Sequence, residues 1–403
     1  MDNLQIEIFT PREKRAAAVF AIALVLLAGS VAWVVRSGGL AGPAGSAAGA
    51  DPTPPPQRHA DFLFVSETAA YALARTGPSY AVASVAAYRS GDGARTWQRM
   101  VAPGPGVPLY MQLVGTRSLL LAAGDPNAAT DRTYWVTHDA GLSWQRFPVP
   151  NLPGQSSYLH LLDGRTGYLI SQPYFNLAAG GSPIAIYWTS DAGATWRQTL
   201  DLNETHASAG ALDVSGPYTA PVFFDPRQGW MMSGSFVPRA GESRPLLLHT
   251  ADGGATWAAV PLPPGPDKQF LLATPVFPGG GAHGYLALGG AAGLLVYETR
   301  DGGAAWADPY RVGVPWFSAG ADRWVYSDGR SLLTSRDWGR SWTTTAARLP
   351  VAGLALGYVE AAGSALWAYD NGTSPGPSSG SQPALLRSLD EGATWSRVSW
   401  PGA

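Results

Sequence analysis

The chain has 403 residues, a formal net charge of −2 and no cysteine. A charge this close to zero argues against a nucleic-acid-binding protein, and the lack of cysteine excludes disulfides and cysteine-bound zinc. The six histidines show no metal-ligand spacing. The sequence therefore predicts no metal, no cofactor and no nucleic-acid partner.

The N-terminal segment has the pattern of a membrane anchor. Residues 1–15 are largely polar and include Arg12, Lys14 and Arg15, whereas residues 16–35 (AAAVFAIALVLLAGSVAWVV) are uncharged and mostly apolar. A helix of that length spans roughly 30 Å, the thickness of the hydrocarbon layer. Positive charges are more numerous before the run than after it, where Arg36 stands. The pattern predicts a cytoplasmic N-terminus, a transmembrane helix over residues 16–36 and an extracytoplasmic remainder.

A cleaved signal peptide is the alternative for this segment. The small residues Ala48, Gly49 and Ala50 offer a cleavage site. The apolar run is longer than the usual signal-peptide core of about 7–15 residues, which favours the uncleaved anchor.

Residues 37–60 have the composition of a linker. Glycine, alanine, proline and serine dominate, and the segment includes the proline-rich run PTPPPQ at residues 52–57. Such a composition is flexible at first and then semi-rigid. We expect it to connect the membrane helix to a single domain over residues 61–403.

That domain is built on an eight-residue pattern, Ser/Thr-x-Asp-x-Gly-x-Ser/Thr-Trp, which occurs seven times. The copies are residues 90–97 (SGDGARTW), 137–144 (THDAGLSW), 189–196 (TSDAGATW), 250–257 (TADGGATW), 299–306 (TRDGGAAW), 335–342 (SRDWGRSW) and 388–395 (SLDEGATW). Their aspartates are Asp92, Asp139, Asp191, Asp252, Asp301, Asp337 and Asp390. Their tryptophans are Trp97, Trp144, Trp196, Trp257, Trp306, Trp342 and Trp395.

The chemistry of the pattern predicts a self-satisfied β-hairpin. The aspartate accepts hydrogen bonds from the amides of its own turn, the glycine supplies a positive φ, and the second hydroxyl closes the loop onto the aspartate. The tryptophan then opens the next strand and buries a large ring in the core. Two copies depart from the pattern, with Ala94 at the glycine position and Ala305 at the second hydroxyl, and we expect both hairpins to be looser.

This pattern resembles the Asp-box, or BNR repeat, of sialidases and related β-propellers. The resemblance implies that the aspartates are structural, because Asp-boxes in such propellers lie away from the binding site. Short strands and tight turns between the boxes provide four strands per repeat. The predicted fold is an all-β, seven-bladed propeller of four-stranded antiparallel blades. Its ring is expected to close by packing, with a swapped edge strand as the alternative.

Alternating strand direction predicts two unlike faces. The first turn of each blade and the box share one face, and the longer loops and the blade-to-blade links share the other. The long segments are residues 125–132, 172–183, 236–244 and 370–383, with the links 148–156 and 201–218. Binding residues concentrate on such loops, and aromatic and arginine side chains are typical anchors. The candidate binding residues are Tyr174, Phe175, Phe236, Arg239, Arg244, Tyr310, Arg311, Trp316 and Asp370.

The resemblance leaves two functions open. Sialidases carry an Arg-Ile-Pro motif, further arginines and a Tyr/Glu pair, but no Arg-Ile-Pro occurs here. The photosystem II assembly-factor family is more similar overall, since it has a single exported seven-bladed Asp-box propeller without known chemistry. We therefore expect a membrane-anchored, non-enzymatic module that binds an envelope protein or glycan. The alternative is a sialidase-like glycoside hydrolase, although the acids of the long loops form no recognisable catalytic pair.

Overall fold

The structure is a computed structural model of the chain. It describes residues 57–79, 82–101, 104, 106–125, 132–152, 156–172, 183–203, 206–213, 218–233, 246–265, 269–271, 274–278, 282–290, 293–315, 317–320, 323–328, 331–350, 358–370 and 384–401. The predicted membrane helix lies outside these residues, and within them no helix has the length and apolarity needed to span a bilayer.

Seven antiparallel sheets, each of four consecutive strands, form the described domain. Blades 1 and 2 contain β1 (Gln57–Phe64), β2 (Ala70–Ser79), β3 (Val82–Ser90), β4 (Gln98–Met100), β5 (Val107–Leu113), β6 (Leu119–Gly124), β7 (Thr133–Thr137) and β8 (Gln145–Phe147). Blade 3 contains β9 (Ser156–Leu161), β10 (Gly167–Gln172), β11 (Ile184–Thr189) and β12 (Arg197–Leu202), and a small hairpin, β13 (Ser208–Ala209) and β14 (Leu212–Asp213), follows it.

The remaining four blades repeat this order. Blades 4 and 5 contain β15 (Val222–Phe223), β16 (Gly229–Ser233), β17 (Leu246–Thr250), β18 (Ala258–Val260), β19 (Gln269–Leu271), β20 (Gly284–Gly290), β21 (Gly293–Thr299) and β22 (Tyr310–Arg311). Blades 6 and 7 contain β23 (Ser318–Ala319), β24 (Trp324–Ser327), β25 (Ser331–Ser335), β26 (Thr343–Ala346), β27 (Tyr358–Ala362), β28 (Ala365–Asp370), β29 (Ala384–Ser388) and β30 (Ser396–Val398). The predicted seven-bladed, all-β architecture is confirmed, and β1 includes residues 57–60, which the composition had placed in the linker.

Within each blade the first strand lies nearest the central axis. First strands of neighbouring blades touch one another, as β1 does β27 and β23 does β27. The fourth strands are the most exposed, because the first two residues of β4, β8, β18 and β30 all face solvent. Hydrophobic clusters fill the spaces between adjacent sheets. The core is therefore a ring of inter-blade layers around a channel lined by the first strands.

Blades 7 and 1 close the ring by packing, since each sheet consists of strands consecutive in the chain. The Ser399 amide donates to the Ala94 carbonyl at 2.9 Å, and the Trp97 indole donates to the Ser399 carbonyl at 2.9 Å. Nearer the axis, Phe64 stacks on Trp367 with ring centroids 4.7 Å apart. The expected mode of closure is the one observed.

The boxes and the first turns of the blades share one face, as expected. Amides in the boxes donate to carbonyls of the first turns, for example from Ala140 to Arg117 at 2.8 Å and from Ala192 to Arg165 at 2.9 Å. The prediction that the links lie on the face opposite the boxes was wrong for their described parts. The described beginnings of the links contact the box of the next blade. The Trp196 indole donates to the Pro148 carbonyl at 3.2 Å, and the link hairpin β13–β14 bonds to Trp257 of the fourth box. The right-handed twist of each sheet turns its outer strand toward the neighbouring blade.

The seven boxes have a common hydrogen-bond pattern. In each, the first hydroxyl donates to the aspartate and accepts the amide of the fifth residue, as in Thr189, Asp191 and Gly193. In six boxes the second hydroxyl donates to the aspartate at 2.5–2.6 Å. Box 1 is not looser than the others, because Ala94 accepts a φ of 60° and makes the same amide bond. Box 5 lacks the second hydroxyl bond and keeps the amide bond from Ala305 to Asp301.

Two successive residues of every box have positive φ, where the pattern predicted only one. The fourth position is glycine in three boxes, and in the others it is Ala140, Ala192, Trp338 or Glu391 with φ of 56–62°. Side chains resist this conformation at roughly 1–2 kcal/mol per residue. The hydrogen bonds on both sides of the turn offset that strain.

The box tryptophans are of two kinds, which corrects the prediction that all are core residues. Trp257, Trp306 and Trp395 are buried, whereas Trp97, Trp144, Trp196 and Trp342 are only partly buried. Two of the three buried tryptophans are hydrogen-bonded through their backbone to the preceding link. The Trp257 amide donates to the Ala209 carbonyl and its carbonyl accepts from the Ala211 amide, whereas the Trp395 amide donates to the Arg348 carbonyl.

Candidate functional site

Most of the binding residues predicted from the sequence fall outside the described residues. These are Tyr174, Phe175, Phe236, Arg239, Arg244 and Trp316. Asp370 ends β28, and its side chain is likewise outside the described part. Tyr310 and Arg311 form β22, the outer strand of blade 5. The binding role of all nine residues stays a prediction.

Tyr310 connects blades 5 and 6 on the box side of the domain. Its hydroxyl donates to the Trp338 carbonyl of box 6 at 2.7 Å, and the Arg340 guanidinium lies 4.0 Å from the centre of its ring. Burial raises the pKa of Tyr310 to about 12. Arg340 also pairs with the buried Glu298, which accepts hydrogen bonds from His283 and Arg300. These side chains satisfy one another and form an inter-blade network.

The box carboxylates are occupied by their own turns. In box 3 the carboxylate of Asp191 accepts three hydrogen bonds from within the box, from the Thr189 hydroxyl, the Thr195 amide and the Thr195 hydroxyl. Hydrogen bonding from Thr195 lowers the pKa of Asp191 to about 2. A carboxylate held in this way is ionised at neutral pH, and both of its oxygens are engaged in the turn. The boxes are therefore structural elements in the described geometry.

A different set of polar residues lies on the first two strands of blades 7 and 1. We call Asp61, Arg75, Glu360 and Tyr369 the channel cluster. Glu360 is in β27 and Asp61 is in β1, the first strands of the two blades. The Tyr369 hydroxyl donates to Glu360 Oε1 at 3.4 Å, and Arg75 donates to Asp61 Oδ2 at 3.3 Å. Arg75 also donates to the Leu109 carbonyl of blade 2 at 3.2 Å.

The members of the channel cluster differ in exposure. The Arg75 side chain is 9% exposed, whereas the Asp61 side chain is 53% exposed. Tyr369 is buried, and Phe62 lies 5.1 Å from its ring centre. Burial, followed by the Glu360 and Asp61 charges, holds the pKa of Tyr369 well above its usual value. Glu360 is the carboxylate in hydrogen-bond contact with this buried phenol.

Glu360 is the most perturbed acid of the cluster. Burial raises its pKa to about 7, and the hydrogen bond from Tyr369 opposes that rise only in part. At neutral pH the group is thus divided between a hydrogen-bond-donating acid and an accepting carboxylate. Strongly shifted groups of this kind concentrate at functional sites.

Replacing Glu360 with glutamine is expected to change the pH dependence of stability. A carboxyl whose pKa rises on folding binds more protons in the folded state, so stability falls as the pH increases from about 4.5 to about 7. Glutamine cannot ionise. The Glu360→Gln variant should therefore melt at a higher temperature than the wild type at about pH 8 and at a similar temperature near pH 4.5. Calorimetry across this range measures the difference, and two parallel profiles would refute the raised pKa.

Sequence reasoning missed the channel cluster. A glutamate inside the strand segment YVEAA and an aspartate inside HADFLF were the available signals, since charged residues are unexpected in otherwise apolar strands. Nothing in the sequence relates position 61 to position 360. Only ring closure brings the first and last blades together.

The arrangement can bind groups that donate hydrogen bonds. Asp61 offers an exposed carboxylate, and Glu360 offers a group that either donates or accepts a hydrogen bond. Phe62 and Tyr369 add neighbouring aromatic rings. Among the described residues no group of three or more His, Asp or Glu side chains could hold a metal ion. Arg75 is committed to Asp61 and a backbone carbonyl. The cluster thus presents acidic and neutral groups to a ligand, with its one arginine held behind them.

The fold and its seven boxes define an Asp-box β-propeller. No protein-family model matches the chain, and no curated protein is significantly similar to it in sequence. Solved structures with a similar fold include YCF48 bound to a D1 peptide, at 14% identity over 72% of this chain and 83% of that chain, with a TM-score of 0.42. YCF48 from Cyanidioschyzon merolae matches at 13% identity over 86% of each chain, with a TM-score of 0.37. The GH93 α-L-arabinofuranosidase of Fusarium graminearum with arabinobiose matches at 13% identity over 72% of this chain and 92% of that chain, with a TM-score of 0.40. These similarities concern the fold alone.

Proposed function

We propose that this protein is a non-enzymatic binding or assembly module that holds an envelope protein or glycan in its channel. The observation that supports the proposal is the channel cluster, in which Asp61 and Glu360 lie on the first strands of two blades of a rigid propeller. The boxes supply that rigidity through their internal hydrogen bonds. Loops and strand edges held by such a scaffold are suited to recognition.

Asp61 is the residue that tests this proposal directly, because its carboxylate is exposed and asparagine preserves its shape. In the first experiment, full-length protein is cross-linked in cells and purified, and its partners are quantified by mass spectrometry. In the second experiment, the purified protein is applied to a glycan array. Asp308→Asn, which neutralises an exposed carboxylate of blade 5, is the matched control. We expect one envelope protein or glycan to be retained by the wild type and the control and lost by Asp61→Asn. An unchanged set of partners in Asp61→Asn would overturn the channel as the binding site.

A glycoside hydrolase is the second candidate, and Glu360 is the observation that favours it. A carboxylic acid with a pKa of about 7 retains a proton at neutral pH and can protonate a leaving group. Turnover of fluorogenic sialosides and arabinofuranosides by the wild type, abolished in Glu360→Gln, would establish the hydrolase. We expect no turnover that depends on Glu360.

We further propose that residues 16–36 anchor the protein in the membrane with the propeller outside the cytoplasm. The charge asymmetry and the apolar run support this topology. Protease added to intact cells should digest the propeller and leave residues 1–15 protected. A soluble mature protein that begins near residue 50 would instead establish a cleaved signal peptide.

A further inference from the structure

A second polar site lies on the box side of the domain, between blades 1 and 2. It is a pocket of about 360 Å³, within the range of roughly 300–1,000 Å³ typical of ligand sites. Box 1 forms one wall, and the first turn of blade 2 forms the other through Thr116 and Arg117. Tyr71 and Arg89 lie in the pocket lining. This pocket shares no residue with the channel cluster.

Two arginines line this pocket, and neither guanidinium pairs with a carboxylate of the residues that the structure describes. Arg89 donates to the Gln98 side chain at 3.0 and 3.2 Å and to the Ala140 carbonyl at 3.0 Å, all neutral acceptors. The exposed Arg117 side chain makes no hydrogen bond or ion pair with the part of the chain that the structure describes, although its own carbonyl accepts from Ala140. Burial raises the pKa of Tyr71, and the Arg89 and Arg117 charges oppose that rise.

The only acid in the pocket lining is already engaged. Asp92 accepts the Ser90 hydroxyl at 2.9 Å, the Thr96 amide at 3.0 Å and the Thr96 hydroxyl at 2.6 Å. Hydrogen bonding from Thr96 lowers its pKa to about 2, so it is ionised at neutral pH. Two guanidiniums and one carboxylate leave the pocket with a single net positive charge. That charge matches a monoanion better than a doubly charged phosphate.

The boundary between blades 1 and 2 pairs two arginines, whereas the boundary between blades 2 and 3 does not. Arg165 in blade 3 corresponds to Arg117, since each carbonyl accepts the fourth-position amide of its box. The residue that corresponds to Arg89 in blade 2 is Val136, directly before box 2. Asp163 lies beside Arg165. Burial raises the pKa of Asp163, whereas backbone hydrogen bonds and, to a smaller extent, the Arg165 charge lower it, and the net effect is a lowered pKa. Arg165 is therefore a matched exposed arginine without a converging partner.

Exposed aliphatic side chains follow the pocket residues in sequence. Leu142, two positions after Ala140, is 66% exposed, and Val101, at the end of β4, is 81% exposed. Neither side chain is part of the pocket lining, but each lies within three residues of a lining residue in the chain. They favour a protein ligand over a free inorganic ion.

We propose that the pocket between blades 1 and 2 binds an acidic side chain of a partner protein. The Arg117 guanidinium donates to the incoming carboxylate, and Arg89, held by Gln98, supplies the second positive charge. Charge-assisted pairs of arginine and carboxylate are among the stronger hydrogen bonds in proteins. This surface is separate from the channel and does not depend on the function proposed for it.

Peptide titration tests the proposal with the full-length protein in detergent. The probes are acetyl-Leu-Glu-Leu-amide, its neutral counterpart acetyl-Leu-Gln-Leu-amide, and inorganic phosphate, each followed by calorimetry. We expect the acidic peptide alone to bind, and Arg117→Ala to weaken that binding by about tenfold or more. Arg165→Ala should leave it unchanged.

Three outcomes would overturn the proposal. These are equal affinity for the acidic and neutral peptides, equal affinity of Arg117→Ala and the wild type, and no binding of the acidic peptide at millimolar concentration. Tighter binding of phosphate than of the acidic peptide would instead identify a site for small oxyanions. A charge reversal, Arg117→Glu, checks the sign of the interaction and should abolish binding of the acidic peptide. Because Arg117 is exposed, these variants are expected to fold.

Discussion

Replacing Trp257 with alanine is expected to lower the free energy of unfolding by about 3–5 kcal/mol, the range found for truncating a large core aromatic. The ring is 2% exposed and packs against Phe223 with centroids 6.1 Å apart. Its indole donates to the Gly254 carbonyl at 3.0 Å, and its backbone pairs with Ala209 and Ala211 of the link hairpin. Urea unfolding of the purified protein measures the change.

Trp196→Ala is the matched control for this prediction, because Trp196 holds the same position in box 3 and is only partly buried. Removing a half-buried ring should lower the free energy of unfolding by about 1–2 kcal/mol. Its indole donates to the Pro148 carbonyl at 3.2 Å and to the Gly193 carbonyl at 3.1 Å. Equal losses for the two variants would show that the link hairpin does not set the burial of Trp257.

Acid is expected to unfold the protein as the pH falls from about 4 to about 2. Hydrogen bonds from the second box hydroxyl are the largest cause of the lowered pKa of Asp92, Asp191 and Asp390, each at about 2. A depressed folded-state pKa means that the stabilisation is present above the unfolded-state value and is lost as the pH falls through the folded-state value. The other four box aspartates shift in the same direction. Thermal melting measured between pH 5 and pH 2 should therefore show a steep fall.

Two comparisons separate this cause from a general effect of acid. Asp191→Asn removes one titrating group, so its melting temperature should depend less steeply on pH in the same window. Added sodium chloride should leave the acid transition nearly in place, because hydrogen bonds within a turn are screened far less than surface ion pairs. A melting temperature that does not change between pH 4 and pH 2 would contradict the assignment of the boxes as ionised, hydrogen-bonded turns.

Much of the fold could be predicted because the box is a local device. Hydroxyl, aspartate and glycine lie within five residues of one another, so their hydrogen bonds follow from spacing alone. The positive φ at the fourth position was missed, since alanine, tryptophan and glutamate at Ala192, Trp338 and Glu391 give no sign of it. Those residues adopt it because the turn around them leaves no other geometry.

The candidate site could not be predicted in the same way. Glu360 and Asp61 were overlooked because each is a single acid in an apolar strand, and their relation depends on where the ring closes. Arg89 and Arg117 likewise belong to different blades and meet only across a boundary. The long-loop residues singled out from the sequence remain predictions of a binding face.

The sequence by itself determined the number of blades, the strands of each blade and the face shared by boxes and first turns. These features depend on hydrogen bonds and patterns that span one repeat. The tertiary structure alone decided which box tryptophans are buried, where the links lie, and which charged residues meet at the boundaries between blades. Those features depend on packing between sheets, where twist brings together residues that are far apart in the chain.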